Sequence, residues 1–257
     1  MITNMQELIV ALRKKNAENQ TSIMLAVPMF GGMCHGDFAL SLIREIQNLT
    51  SCGYHVYIEV MMGDSLIPRA RNSLAKKFLD SDMDYMMFLD ADIVFGEWDI
   101  LKLILADRQL CAASYPRKRL NFDAYKEAIL KLKESPEDWL GSYIFKPVGL
   151  ADSDDDGMIE VSHAPTGFML IHSSVFETLS KVATPYQDAV DGQKIDGFDF
   201  FPAGPGPNGM YTSEDYGFCN LWTQTGGKIY LNPFIRLKHI GSYAFDGSLA
   251  RQGSEAL

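Results

Sequence analysis

The sequence predicts an α/β fold in which a mostly parallel central sheet, flanked by helices, adjoins a smaller mixed sheet. Three observations lead there. Through about the first 120 residues, apolar runs of strand length alternate with longer stretches of helical period. Gly, Pro and capping residues punctuate them at the junctions. From about residue 142 the texture changes to short strand-like runs around acidic and Gly/Pro-rich turns. Strands alternating with helices imply right-handed βαβ units and a parallel sheet covered on both faces. The chain reads as one domain over 1–257, with a nucleotide-binding half to about 120 and an acceptor-binding half from about 121.

The elements follow in order. "TNMQELIVALRKK" has Thr3 and Gln6 at capping-box spacing, then Leu8, Ile9 and Leu12 at helical spacing. "SIMLAVPMF" is an apolar run ended by Pro28, Gly31 and Gly32, hence a buried strand. "DFALSLIREIQNLTSCG" starts on Asp37 as N-cap and stops at Gly53. "HVYIEVMM" is the next strand, and "LIPRARNSLAKKFLD" is a helix with Pro68 in its first turn, where proline is tolerated. A strand over 85–90, a helix near 97–107 and the strand "LCAASY" complete the first half. The second half holds strand-like runs in "SYIFKPVGLADSDDDGMIEVSHAPTGFMLIH" and a loop, "GFDFFPAGPGPNGMY". A helix from Ser213 to the pair Gly226 and Gly227 follows, then a last strand, "KIYLNPFIRLKHIG".

Composition narrows the function classes. The 257 residues are 47% hydrophobic and 22% charged, ordinary for a globular protein with a full core. The net charge of −10 speaks against nucleic acid as a partner. An acidic chain that handles a phosphate-bearing substrate needs a metal or a few placed arginines. Four cysteines that never form a CxxC argue against a disulfide framework and a zinc ribbon, and fit a reducing compartment. The N-terminal stretch lacks the form of a signal peptide, and no window has the length and apolarity of a membrane span. The expected setting is the cytoplasm (a host's, if the source is a virus).

Candidate sites cluster around charged residues at element ends. Asp90 and Asp92 end the strand over 85–90; on an extended chain, residues two apart share a face with Cα atoms roughly 6.5–7 Å apart. Such a pair can converge on one divalent cation, and oxygen ligands favour Mg2+ or Mn2+. Ligands of open α/β sheets bind at these strand ends. Arg69, Arg71 and Asn72 open a helix, where free N–H groups favour an anion. Glu214 and Asp215 open another, as cap and dipole partners or as a general base. His239 falls on the face of Ile235 and Leu237, as a core residue or a further metal ligand. "DSDDDG" at 152–157 fits half of an EF-hand, but His163 stands where a bidentate glutamate is required, so it reads as a solvated turn. "GGMCHG" at 31–36 suggests close backbone approach to a ligand.

Four segments taken in order carry a resemblance. "RARNSLAKKFLDSDMDYMMFLDADIVF", "APTGFMLIHSSVFE", "SEDYGFCNLWTQTGGKIYLNP" and "HIG" resemble successive motifs of family 2-type glycosyltransferases with the GT-A fold, of the kind found in bacteria, phages and large viruses. The resemblance spans roughly residues 22 to 245. It implies Asp92 as direct metal ligand, joined by His239, with Asp90 on a metal-bound water or the ribose. It implies a donor site of Pro28, Phe30, Asp64, Arg69, Arg71, Asn72, Asp90 and Ala91, and an acceptor side at Thr166 and Gly167. Asp215 would be the base and Glu214 would contact the acceptor. The family's "DDGS" is replaced by "MMGDS", so Asp64 matches only approximately.

The resemblance therefore implies transfer of a sugar from a nucleotide-diphosphate sugar, of UDP type, to a hydroxyl of a glycan or other acceptor. The cofactor would be Mn2+ or Mg2+, and the displacement would invert the anomeric carbon. Three alternatives stand beside it. One is a retaining transferase on the same fold. Another is a sugar-nucleotide pyrophosphorylase, although "PMFGGMCHGD" lacks the basic residues that activity needs. The third is a non-catalytic nucleotide-sugar-binding module.

Overall fold

The computed structural model describes residues 5–149, 153–190, 193–206 and 209–247. Thr3 of the expected capping box and Asp152 of the acidic turn lie outside them. The seven helices among these residues are α1 (Met5–Asn19), α2 (Gly36–Ser51), α3 (Ile67–Leu79), α4 (Asp99–Leu105), α5 (Phe122–Leu130), α6 (Ser173–Leu179) and α7 (Glu214–Gln224). In the first half the strands are β1 (Ser22–Met29), β2 (His55–Met62), β3 (Tyr85–Leu89), β4 (Ile93–Val94) and β5 (Leu110–Ala112). The second half supplies β6 (Lys146–Pro147), β7 (Ile159–His163), β8 (Phe168–His172), β9 (Thr184–Val190) and β10 (Gln193–Asp199). After these come β11 (Gly204–Pro205), β12 (Tyr211–Thr212), β13 (Ile229–Leu231), β14 (Lys238–Ile240) and β15 (Ala244–Asp246).

The central sheet has eight strands in the order β2-β1-β3-β8-β5-β13-β7-β6, so both halves of the chain build it. β1 pairs in parallel with β2 and β3, and β5 with β13, whereas β8 runs antiparallel to β3 and β5. β7 is antiparallel to both of its neighbours. Six of the eight strands thus point one way, and β8 and β7 run against them.

Strand alternation sorts the core onto two faces. Tyr85, Met87 and Leu89 of β3 join one cluster with Leu12, Phe38, Leu49 and Ile104, which brings in α1, α2 and α4. Met86 and Phe88 join the other with Leu74, Phe78, Phe176 and Phe218, which brings in α3, α6 and α7. Every residue of β3 is buried because helices cover both sides.

Several local expectations need correction. The residue before α2 is His35, and Asp37 lies inside the first turn rather than at the cap. The last strand is broken between β13 and β14, because Asn232 Oδ1 accepts from the backbone N–H groups of Phe234 and Ile235 and bends the chain. The acidic turn is closed as a solvated turn: Asp154 accepts from the N–H groups of Asp156 and Met158, and Arg108 pairs with both Asp154 and Asp156. Helix α5 and the β9–β10 hairpin were not anticipated from the sequence.

One buried acid ties α2 to α4. Glu45 is 0% exposed and accepts hydrogen bonds from the N–H groups of Trp98, Ile100 and Leu101. Helix α4 lacks a side-chain cap of its own at Trp98, so a carboxylate from another helix satisfies its first turn. Burial nonetheless pushes the Glu45 carboxyl up to about 7 against those bonds.

Candidate functional site

The site begins where β3 ends. Asp90 does not continue the strand: its carbonyl accepts from Ile93 N–H at 3.0 Å, which closes a turn over residues 90–93. The two-residue, same-face geometry of an extended chain therefore does not hold, and the two carboxylates find different partners. Asp90 turns to α3, where Arg71 Nη2 donates to its two oxygens at 3.0 and 3.2 Å. Asp92 turns to the other side.

Arg71 is 2% exposed, with its guanidinium over the Phe88 ring. Nε and Nη1 are enclosed as well, with no hydrogen-bond acceptor among the described residues. Burial lowers its proton affinity, but Asp90, Asp215, Tyr115 and Glu214 together hold it above the usual range. For Asp90, burial is the largest effect and keeps the carboxyl above the ordinary range despite Arg71. The enclosed guanidinium holds the Asp90 carboxylate in place. Asp90 in turn is paired with Arg71 and also lines the cavity beside the turn.

Asp92 faces β14. The pairing of β4 with β14 sets His239 opposite Ile93, and Ile240 N–H donates to the Asp92 carbonyl at 2.8 Å. His239 Nε2 lies 3.6 Å from Asp92 Oδ2, and Lys118 Nζ donates to that same oxygen at 2.5 Å. Burial raises the Asp92 carboxyl, yet His239 and Lys118 outweigh it and bring it down to about 2. Nδ1–H of His239 donates to the Pro116 carbonyl at 3.0 Å. That bond keeps a proton on Nδ1 and turns Nε2 toward Asp92, where it donates to the carboxylate when protonated and can coordinate a metal when neutral. The Tyr115 ring packs edge-on against the imidazole at 5.0 Å.

The residues expected on the acceptor side meet the same turn. Gly167 accepts from Asp90 N–H at 3.0 Å and donates to the Tyr115 hydroxyl at 3.2 Å. A Cβ at Gly167 would lie 2.5 Å from both Asp90 Oδ2 and the Tyr115 oxygen, so only glycine fits here. Thr166, 0% exposed, donates its hydroxyl hydrogen to Asp215 Oδ1. Glu214 is pushed up first by burial and then by Asp215, with Arg71 pulling the other way. The helix N-terminus of α7, the Thr166–Gly167 turn and the Asp90 turn thus surround one buried arginine.

Beside the turn is a cavity of about 550 Å3, lined by Pro28, Phe30, Asp64, Asp90, Ala91 and Asp92 together with Met33, Cys34 and His35. This volume suits a small-molecule ligand. The glycine-rich segment does wall the cavity, held by His35 N–H on the Ala91 carbonyl at 3.2 Å. Arg69 grips Asp64 through two hydrogen bonds at 2.8 and 2.9 Å. Asn72 is bonded within the fold on both sides of its amide. Its Nδ2 donates to Asp199, and its Oδ1 accepts from Phe200 and Phe201 N–H, so the amide pins the chain after β10.

Two of the three residues expected to hold a metal, Asp92 and His239, face each other here. Among the described residues no group of three His, Cys, Asp or Glu converges on one point. A carboxylate oxygen and an imidazole nitrogen turned toward each other can serve, once the imidazole is neutral, as a donor pair for Mn2+ or Mg2+, ions whose coordination is commonly completed by substrate phosphates and water. The residues fit such an ion on the condition that Lys118 gives way. Lys118 and Tyr115 were missed in the sequence. The signal available was the run Arg117, Lys118, Arg119 in a chain of net charge −10.

All four cysteines carry free thiols, with Cys34 exposed and the others buried. No helix among the described residues is long and apolar enough to cross a membrane.

No protein-family model matches the chain, and no curated protein matches it either. Among solved structures, the chain resembles A197 from STIV at 14% identity, with a TM-score of 0.51 over 86% of each chain. It also resembles GalNAc-T7, in a structure with UDP, GalNAc and Mn2+, at 13% identity and a TM-score of 0.43. That match covers 89% of this chain and 45% of the other. At such identities the likeness to A197 is one of fold alone: an α/β architecture with a large central sheet, flanking helices and small antiparallel sheets.

Proposed function

We propose that this protein is a glycosyltransferase that moves a sugar from a nucleotide-diphosphate sugar to a hydroxyl acceptor, with the two halves of the chain acting as one domain. One observation carries the reading. Segments separated by more than a hundred residues bring Asp90, Asp92, Asp215, Glu214, Thr166 and His239 to the end of β3, beside a cavity of ligand size. The donor would lie in that cavity along Pro28, Phe30, Asp64 and Ala91. UDP is the nucleotide favoured by the family resemblance.

The chemistry assigned to these residues is a single displacement. Asp215, oriented by Thr166, takes the proton of the acceptor hydroxyl. The acceptor oxygen bonds to the anomeric carbon as the bond from that carbon to the diphosphate breaks, and its electron pair leaves on the diphosphate oxygen. Attack from the opposite face inverts the anomeric configuration. Glu214, with its raised proton affinity, contacts the acceptor. Mn2+ or Mg2+ would be held by Asp92 and His239, where its contribution is to neutralise charge on the diphosphate.

The test is thermal stabilisation against a panel of nucleotide-sugars with and without Mn2+, since a ligand that binds only the folded state stabilises by mass action. A rise in melting temperature with one nucleotide-sugar is expected, followed by product whose anomeric configuration NMR reads as inverted. Retention would move Asp215 from base to acceptor-orienting residue. Absence of binding across the panel, with unchanged transfer in Asp92→Ala, would overturn the proposal.

A further inference from the structure

We infer that Lys118 is a built-in cation that competes with a divalent metal for Asp92. The inference deepens the reading of Asp92 and His239 as the metal-holding pair. Its observations are geometric. Lys118 Nζ sits 2.5 Å from Asp92 Oδ2, the same oxygen that His239 Nε2 faces at 3.6 Å. One short loop supplies both contacts to the pair. The Pro116 carbonyl keeps a proton on His239 Nδ1, and Lys118, two residues on, caps the carboxylate.

That loop is held in place from both sides. Pro116 bridges Tyr143, Arg117 N–H donates to the Ser142 carbonyl at 2.8 Å, and Asn121 N–H donates to the Leu140 carbonyl at 2.8 Å. The lysine stem runs over Gly241, where a Cβ would come within 3.1 Å of Cδ. The placement of the ammonium is therefore a product of the fold. The head itself remains movable, since the side chain is 39% exposed.

The charges explain what such an arrangement does. Without a cation, Asp92 would stand uncompensated near Asp90 in an acidic chain. A lysine on a flexible stem neutralises the carboxylate until a doubly charged ion takes the oxygen, and an ion of higher charge at the same oxygen wins on Coulomb attraction. Displaced, the ammonium stays tethered at the same edge of the site as positive charge for an anionic ligand. The metal affinity of the free protein is thereby held down, and metal binding is coupled to arrival of the phosphate-bearing substrate.

The test titrates the nucleotide-free, full-length protein with Mn2+, read by electron paramagnetic resonance of free Mn2+ and by calorimetry. Lys118→Met, which keeps the stem and removes the charge, is expected to bind Mn2+ at least tenfold more tightly than the native protein. Lys126→Met, which removes one charge from α5, corrects for net charge and is expected to leave the affinity within about twofold. Asp92→Asn is expected to abolish the gain in the Lys118→Met background. Equal affinity in native protein and Lys118→Met, absence of Mn2+ binding in both, or a gain that survives Asp92→Asn would each overturn the inference. The titration contains no nucleotide or sugar, so a tighter Mn2+ site in a protein that binds no nucleotide-sugar would sustain this inference and sink the proposed function.

Discussion

Arg71 Nη2 donates to both carboxylate oxygens of Asp90, at 3.0 and 3.2 Å, from a side chain that is 2% exposed. The pair joins α3 to the end of β3, and the other carboxylates of the site are arranged around it. Replacing Arg71 by Met leaves Asp90 desolvated without its cation. Removal of one partner from a buried pair costs about 3 kcal/mol, and urea denaturation at pH 7 is expected to show a loss of that order. Lys at this position is expected to recover only part of it, because an ammonium lacks the planar fork. A loss under about 1 kcal/mol for Arg71→Met, the range of exposed ion pairs, would show that Asp90 is not held by this contact.

Glu45 gives a pH dependence with a definite sign. Its carboxyl is raised from 4.5 to about 7 in the folded protein, chiefly by burial. The folded state therefore holds this proton more tightly than the unfolded chain. Its contribution to stability is complete below pH 4.5 and is lost as pH rises toward 7. Glu45→Gln removes that titration. The stability of the variant relative to the native protein is expected to improve by about 3 kcal/mol between pH 4.5 and 7 and to level off above. Denaturation series at several pH values measure it, and a flat difference curve would refute the burial argument.

Gly167 predicts a loss of function without a change in any charged group. The position of its missing Cβ is 2.5 Å from the Asp90 carboxylate and the Tyr115 hydroxyl. Gly167→Ala has to push Asp90 off Arg71 or Tyr115 off His239. Binding of a nucleotide-sugar, measured by thermal shift, is expected to fall by tenfold or more. Native-like affinity in Gly167→Ala would mean that the Asp90 turn does not set the donor site.

The legible part of this protein was the part decided by short-range pattern. β1 and β3 were readable because a strand covered on both faces is a continuous apolar run, and α3 because Pro68 marks its start. The geometry of Asp90 and Asp92 was not, since a strand that stops one residue early and turns sends two neighbouring carboxylates to opposite partners. The break at Asn232 hid in the same way: apolar residues on either side continue the strand pattern while one side-chain amide bends the backbone. Lys118 carried only the signal of its basic run, Arg117 to Arg119. Its meaning comes from an oxygen 26 residues away that only the folded sheet brings within 2.5 Å.

Thr166 and Asp215 offer the sharpest test of the assigned chemistry. Asp215 has one carboxylate oxygen occupied by the Thr166 hydroxyl, which is fully buried and fixed by the turn that also carries Gly167. A base held by one oxygen presents the other to an incoming hydroxyl. Asp215→Asn keeps the shape and the bond from Thr166 but cannot accept a proton, so transfer is expected to fall by about 10²–10⁴-fold with donor binding little changed. Thr166→Val removes only the orienting bond, and a smaller loss is expected, in kcat more than in KM. Glu214→Gln is expected to act on acceptor KM instead. If Glu214→Gln abolishes transfer while Asp215→Asn spares it, the base is Glu214, and its raised proton affinity is then the property that was selected at this helix terminus.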